Sequence, residues 1–321
     1  MSKFKIHHVT KYTYESPVRD SANQIILYPI KDEYQEVLKH ELTISGEPIV
    51  EIYKDYYGND VGSFSSQEPH LELIIDSRME VITKPRPVPE DTQPKEEQWS
   101  HLLQVRNKVA LIDFLKVEQF DALSEITMIV ELSQNHEVTP YAAALRLNEY
   151  VFENFNYIKG ITSVETTLNE IWKLKAGVCQ DFAHMLSAML RIINIPARYV
   201  SGYVCPHKSG MRGEGATHAW VEAYLPSFGW LGLDTTNNCL VSDRHVRLAV
   251  GRNFTDCSPV RGTYKGTSEQ TLEVGVTVSY EDGNSREDFT TILTPQPKMT
   301  EDGNSYRRFL EMQQKQQQQQ Q

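Results

Sequence analysis

Residues 175–196 read "KAGVCQDFAHMLSAMLRIINIP", and the reading of this stretch decides the fold. Phe182, Met185, Leu186, Met189, Leu190 and Ile193 recur at three- and four-residue spacing, which makes one apolar stripe along a helix. Asn194 suits a left-handed helix end, and Pro196 forbids continuation. At the other end Gly177 releases the preceding segment and Cys179 falls in the first turn. A thiol is a strong nucleophile near neutral pH only where its thiolate is favoured, and a helix N-terminus offers partial positive charge and unpaired N–H groups. Gly177 permits a tight approach there, and the Cys179 backbone N–H is a candidate donor to a developing oxyanion.

A thiolate needs a proton partner. His218 opens the strand-like "HAWVEAYL" 39 residues downstream, and Asp234 ends the next strand-like segment, "GWLGLD", placed to orient the imidazole. If "PSFG" between them were a plain four-residue hairpin turn, Leu225 would face Trp230 and Asp234 would face Val221. That is three residues from His218, roughly 10 Å along the strand. A bulge, strong twist or different register has to bring the two side chains together.

Working outward, residues 4–85 read as strands ("KFKIHHVTKYTY", "SANQIILYPI", "HELTISGEPIVEIY", "LELIIDSRMEVIT") with turn signals such as Tyr57-Gly58-Asn59-Asp60, a pattern expected of a β-sandwich. The proline-rich "KPRPVPEDTQPKEE" reads as a linker. Helical periodicity follows over 99–117, 120–133 and 139–155, the last with Thr139 as cap and Pro140 at its first position. Thr167 and Glu170 then form a capping-box pattern. Beyond the Cys179 helix come "ARYVSGYV", "HAWVEAYL" and "GWLGLD" as strands, the second preceded by the glycine-rich "PHKSGMRGEGAT", so the second half is α+β. "TLEVGVTVSYED" is one more strand, and "MQQKQQQQQQ" reads as a disordered tract.

At 321 residues the chain has room for about two domains, and 40% hydrophobic with 23% charged residues excludes a disordered or fibrous class. A net charge of -11 without an aromatic-interleaved basic run excludes a nucleic-acid partner. No apolar run marks a signal peptide or a membrane span, so the expectation is a cytoplasmic protein without a membrane partner. Cys179, Cys205, Cys239 and Cys257 show neither a C-x-x-C pair nor a disulfide framework. Cys205 and His207 in "CPHKSG" match no common zinc spacing, and no D-x-D-x-D-G calcium loop occurs, so neither a metal nor another cofactor is expected. His184 reads as a packed or capping histidine, and Trp220 and Glu222 share the strand face of His218. The loop around Arg212 and Glu214 either shapes substrate entry or is plain surface.

The segments "GVCQDFAHMLSAMLRIINIPARYVSGYV", "THAWVEAYLPSFGWLGLDTTNN" and, more weakly, "HHVTKYTYESPV" and "YYGNDV" resemble bacterial transglutaminase-like proteins with an N-terminal β-domain. The resemblance implies a papain-like core with Cys179 as nucleophile, His218 as general base and acid, and Asp234 as orienting carboxylate. Tyr157, Trp172 and Gln180 are candidates for a second oxyanion donor. The expected organisation is a β-sandwich over 1–85, a linker over 86–98, a transglutaminase-like papain-fold domain over 99–285 and a C-terminal segment over 286–321. The expected activity is cysteine-dependent acyl transfer at amide bonds through a thioester, with hydrolysis of a peptide, protein or other amide substrate first. The alternatives are transfer to an amine, as in a protein-glutamine transglutaminase, and a non-catalytic binding protein on the same fold. Oligomeric state is left open.

Overall fold

The computed structural model describes residues 1–134, 137–205, 212, 217–266, 268–280 and 294–295. The glycine-rich loop, apart from Arg212 and Thr217, lies outside these residues, as do His207, Glu214 and the glutamine tract.

The N-terminal segments are antiparallel strands: β1 (Ser2–Ile25), β2 (Gln35–Ile44), β3 (Glu51–Lys54), β4 (Asp60–Ser66) and β5 (His70–Thr83). "KFKIHHVTKYTY" and the start of "SANQIILYPI" prove to be one 24-residue strand. Its first half pairs with β5 and its second half with β4, with register breaks between Thr13 and Val18 and between Arg19 and Ala22. Such irregularities bend a strand, and Asp20 sits near them at a φ of 50°. The expected sandwich is therefore, in its pairing, one curled antiparallel sheet whose two halves share β1. Phe4, Ile6, Val18, Ile25, Phe64, Ile75 and Val81 fill its interior.

No regular element forms from Lys84 to Pro94, where the prolines remove N–H donors and fix φ. Helices α1 (Lys95–Val105), α2 (Val109–Ile112), α3 (Leu123–Gln134) and α4 (Pro140–Asn154) follow. The span 99–117 is thus broken rather than continuous, and α1 starts inside the expected linker. Thr139 caps α4, accepting from the Ala142 N–H at 3.2 Å. Strand β6 (Asn156–Tyr157) leads to α5 (Leu168–Leu174), whose Thr167–Glu170 capping box forms as read. Helix α5 ends on Lys175 in the left-handed region, two residues before the expected Gly177. Strand β7 (Ala176–Gly177), parallel to β6, delivers the chain to α6 (Cys179–Ile192).

Strands β8 (Ala197–Val204), β9 (Thr217–Leu225), β10 (Gly229–Asp234), β11 (Cys239–Leu240) and β12 (His245–Gly251) form a second antiparallel sheet in the order β11-β10-β9-β8-β12. The apolar stripe of α6 packs on Ala219, Val221, Ala223, Leu231 and Leu233 of this sheet. Its other face holds Val200, Trp220, Val241 and Val250 against Ile30 and Tyr57 of the N-terminal region. The edge strand β12 is closed by side-chain amides. Gln35 exchanges bonds with the Arg247 backbone at 2.7 and 2.8 Å, and Asn59 with that of Val250 at 2.8 and 2.9 Å.

The chain then returns to its beginning. β13 (Val260–Lys265) pairs with the second half of β1, β14 (Gln270–Tyr280) with its first half, and β15 (Thr294–Pro295) with β14, completing an eight-stranded sheet. The last strands of the 99–285 span therefore join the N-terminal unit, because β1 offers both its edges along most of its length. Among the described residues no helix is long and apolar enough to cross a membrane.

Candidate active site

The site depends on the register of the β9–β10 hairpin. Gly229 pairs with Leu225 and Leu233 with Val221, which leaves three loop residues, with Ser227 at a φ of 62° and Gly229 at 96°. This is one residue off the four-residue turn considered above. A one-residue slip turns every side chain to the other face. Asp234 falls level with Trp220, on the face of His218 and one diagonal step from it, instead of opposite Val221 among the helices. His218 Nε2 donates to Asp234 Oδ2 at 2.9 Å, with both side chains fully buried.

The "DTTNN" turn is more than a turn. Its Thr236 and Asn237 N–H groups donate to Asp234 Oδ1 at 3.1 and 3.2 Å, and Asn237 Nδ2 donates to Oδ2 at 2.8 Å. A further donor was not singled out in the sequence: His245 Nε2 donates to the same oxygen at 3.0 Å. The alternation in "HVRLAVG" marks a strand there, but nothing local aims its first side chain at Asp234.

Cys179 is the first residue of α6 and is partly exposed. Asp181 organises this turn. It accepts from the Val178 N–H at 2.7 Å and from the Thr162 hydroxyl at 2.7 Å, and a Cβ at Gly177 would collide with its carboxylate. Gly177 is needed for that close approach, at a φ that does not itself demand glycine. Burial pushes the Asp181 carboxyl up to about 6. Cys179 also acts electrostatically on His218, and Nδ1, the ring nitrogen that Asp234 does not hold, has no hydrogen-bond partner among the described residues. Burial alone would lower the His218 pKa, yet the Asp234 carboxylate and then Cys179 outweigh it and hold the imidazole well above its ordinary value. Burial likewise opposes the Asp234 charge, and the His218 and His245 imidazoles overcome it, keeping that carboxyl well below the usual range. The arrangement joins a thiol, an imidazole that favours its charged form and an ionised carboxylate.

Tyr157 pairs through its backbone with Gly177 and packs edge-on against Phe182 at 6.2 Å, one turn along α6 from Cys179. Its phenol is raised by burial and then by the charge of Cys179. Trp172 is committed elsewhere, its indole N–H donating to Glu125 at 2.9 Å and its face covered by the Lys175 ammonium. His184 is a packed histidine, as read: Nε2 accepts from the Phe254 N–H at 3.0 Å, and burial lowers its pKa to about 4. Trp220 is buried, and Glu222 is buried in ion pairs with Arg198 and Arg247. Cys205 and Cys257 are buried thiols. Arg212 exchanges backbone bonds with the Asn237 side chain at 2.8 and 3.2 Å, which ties its backbone to the carboxylate's turn. Asp234, Cys239 and His245 bring potential metal ligands within 4.8 Å of one another, although a cation there would break the His245–Asp234 hydrogen bond.

The family model described as the transglutaminase-like superfamily matches residues 130–235, and that of the bacterial transglutaminase-like N-terminal region matches residues 4–82. An uncharacterized protein of Mycobacterium leprae is 32% identical over 290 residues, covering 87% of this chain and 99% of the relative. The chain belongs to the transglutaminase-like superfamily. The transglutaminase-like match takes in Cys179, His218 and Asp234 and stops before His245. A protein-glutamine gamma-glutamyltransferase of Pseudomonas aeruginosa is 29% identical over 113 residues, 33% of this chain and 17% of that protein. The crystal structure of a proposed cysteine protease from Cytophaga hutchinsonii covers 92% of this chain and 98% of its own, with a TM-score of 0.69 at 22% identity, and shares the transglutaminase-like fold.

Proposed function

We propose that this protein is a cysteine-dependent acyl transferase acting on amide bonds, with hydrolysis of a peptide or amide substrate as its main reaction. The observation that carries the reading is the juxtaposition of Cys179, at the N-terminus of α6, with the buried His218–Asp234 pair. The core is read as papain-like, since the nucleophile sits on a helix and its two partners on the antiparallel sheet beneath.

The residues then take these roles. The Cys179 thiolate attacks the amide carbonyl, and the resulting oxyanion is met by the Cys179 backbone N–H and the Tyr157 hydroxyl. His218 delivers a proton to the departing amine as the carbon–nitrogen bond breaks, leaving a thioester on Cys179. Water then attacks the thioester, His218 takes its proton, and the thiolate leaves. A primary amine can replace water in that last step. The superfamily and the P. aeruginosa relative's name support this second reading, in which the acyl donor is a glutamine side chain.

Iodoacetamide labelling of Cys179, followed against pH by mass spectrometry, tests the reading. Fast labelling is expected to persist well below the ordinary thiol pKa of about 8.5 and to slow in His218→Ala. An ordinary thiol titration in both proteins refutes the triad. With glutamine peptides, product release in water alone indicates hydrolysis, whereas incorporation of an added primary amine in preference to water indicates transfer.

A further inference from the structure

Asp234 is held by more than the imidazole that uses it, and the extra partner comes from outside the matched catalytic span. We infer that His245 is a positioning residue for the Cys179–His218–Asp234 site: it donates Nε2–H to Asp234 Oδ2 and keeps that carboxylate aimed at His218. The inference rests on the acyl-transfer reading above.

The neighbours of His245 settle its tautomer. The Ser242 backbone N–H donates to His245 Nδ1 at 3.2 Å, so Nδ1 carries the lone pair and the ring proton is on Nε2, directed at Asp234 at 3.0 Å. Both side chains are fully buried. The charged and titratable groups around the ring are Asp234 on β10, His218 on β9 and Arg244 beside it in the chain, while Cys239 on β11 faces Asp234 in turn. Burial, with His218 and Arg244 adding to it, outweighs the pull of Asp234 and keeps His245 neutral. A neutral donor suits this place. A second imidazolium would compete with His218 for one carboxylate, whereas a neutral imidazole adds a directed hydrogen bond and leaves the full negative charge to His218.

The surrounding structure makes room for the ring. Trp220 packs edge-on against His245 at 5.3 Å, and on the intervening strand β8 the residue level with His218 is Gly202, where a Cβ would run into the Trp220 ring. With His218, Asn237 Nδ2 and His245 all donating to Oδ2, and two backbone N–H groups donating to Oδ1, the carboxylate plane is locked from both ends.

The test compares wild type, His245→Gln, which keeps an N–H donor at similar reach, and His245→Leu, which removes it. Thermal melts establish which variants fold, and the readout is the pH profile of Cys179 alkylation. A misaligned carboxylate holds the imidazolium less well, and the imidazolium in turn holds the thiolate less well. In His245→Leu the acid limb is expected to move upward by about half a pH unit or more, with alkylation at pH 6 slowed roughly three- to tenfold. His245→Gln is expected to recover most of the wild-type profile. Should His245→Leu not fold, His245→Asn, whose shorter amide withdraws the donor from Oδ2, carries the same expectation. ¹⁵N-imidazole spectra of the wild type near neutral pH are expected to show His245 neutral with its proton on Nε2. An activated wild type with an unshifted profile in the folded donor-less variant, or an Nδ1–H or charged His245, overturns the inference and leaves the triad standing. An ordinary thiol titration in wild type removes both.

Discussion

At the scale of single residues, the site separates charge by environment. His218 and Asp234 share a buried ion pair, His245 is kept neutral beside them, and Asp181, two residues from the thiol, is a carboxyl that burial pushes up to about 6. A carboxyl whose folded-state pKa is raised contributes stability that is complete below its unfolded value of about 3.9 and is lost as pH rises through about 6. Chemical denaturation of wild type and Asp181→Asn should reveal this. Relative to the variant, wild type is expected to gain about 3 kcal/mol, as an upper figure, on acidification from above pH 6 to below pH 4. The neutral amide removes the titration, so a pH-independent difference between the two would contradict the assignment. His218 has the same sign of linkage. Its raised pKa adds stability that is full below about pH 6.5 and fades as pH rises through its folded value.

At the scale of elements, the β9–β10 hairpin decides whether Asp234 meets His218. Its three-residue loop, with Ser227 and Gly229 at positive φ, places Asp234 on the His218 face. Inserting one residue between Ser227 and Gly229 would restore the even-length turn and, if the register follows, direct Asp234 toward the helices. The variant is expected to keep its helical circular dichroism while Cys179 alkylation at pH 6 falls about tenfold or more. Unchanged alkylation would mean that the register is held by β8 and β11 rather than by the loop. The α5–α6 connection works in a similar way, since Lys175 ends one helix in the left-handed region and the missing Cβ at Gly177 lets Asp181 seal the start of the next.

At the scale of the whole molecule, the two sheets are joined through β12 and through the returning strands. All eleven residues of β14 lie opposite β1, and β13 covers the other half of that strand. The amides of Gln35 and Asn59 close the edge of β12, while Asp32 pairs with Arg247 at 2.7 Å beside the Glu222–Arg198 pair. Ending the chain at Cys257 would strip β1 of both strands and expose long unpaired edges. The expected result is a protein that aggregates or melts well below wild type, measured by light scattering and thermal unfolding, even though every proposed catalytic residue is retained. Equal stability of this shortened chain would show that the N-terminal unit closes without its C-terminal strands.

Short-range physics made much of this legible. The α6 stripe, its Asn194 and Pro196 stop, the Thr139 cap and the Thr167–Glu170 box all formed as read, because they depend on residues within a turn or two of one another. The same holds for β8, β9 and β10 as strands and for Cys179 in the first turn of a helix. What no local pattern held was pairing. The run of β1 through both halves of its sheet, the return of β14 to it, the odd-length loop that puts Asp234 beside His218, and the approach of His245 from β12 join residues distant in sequence. By itself the sequence determined where most of the helices and strands lie, and which thiol, imidazole and carboxylate were candidates. The tertiary structure decided their register and partners, since a side chain's face and reach in a sheet are settled only when its neighbouring strands are in place.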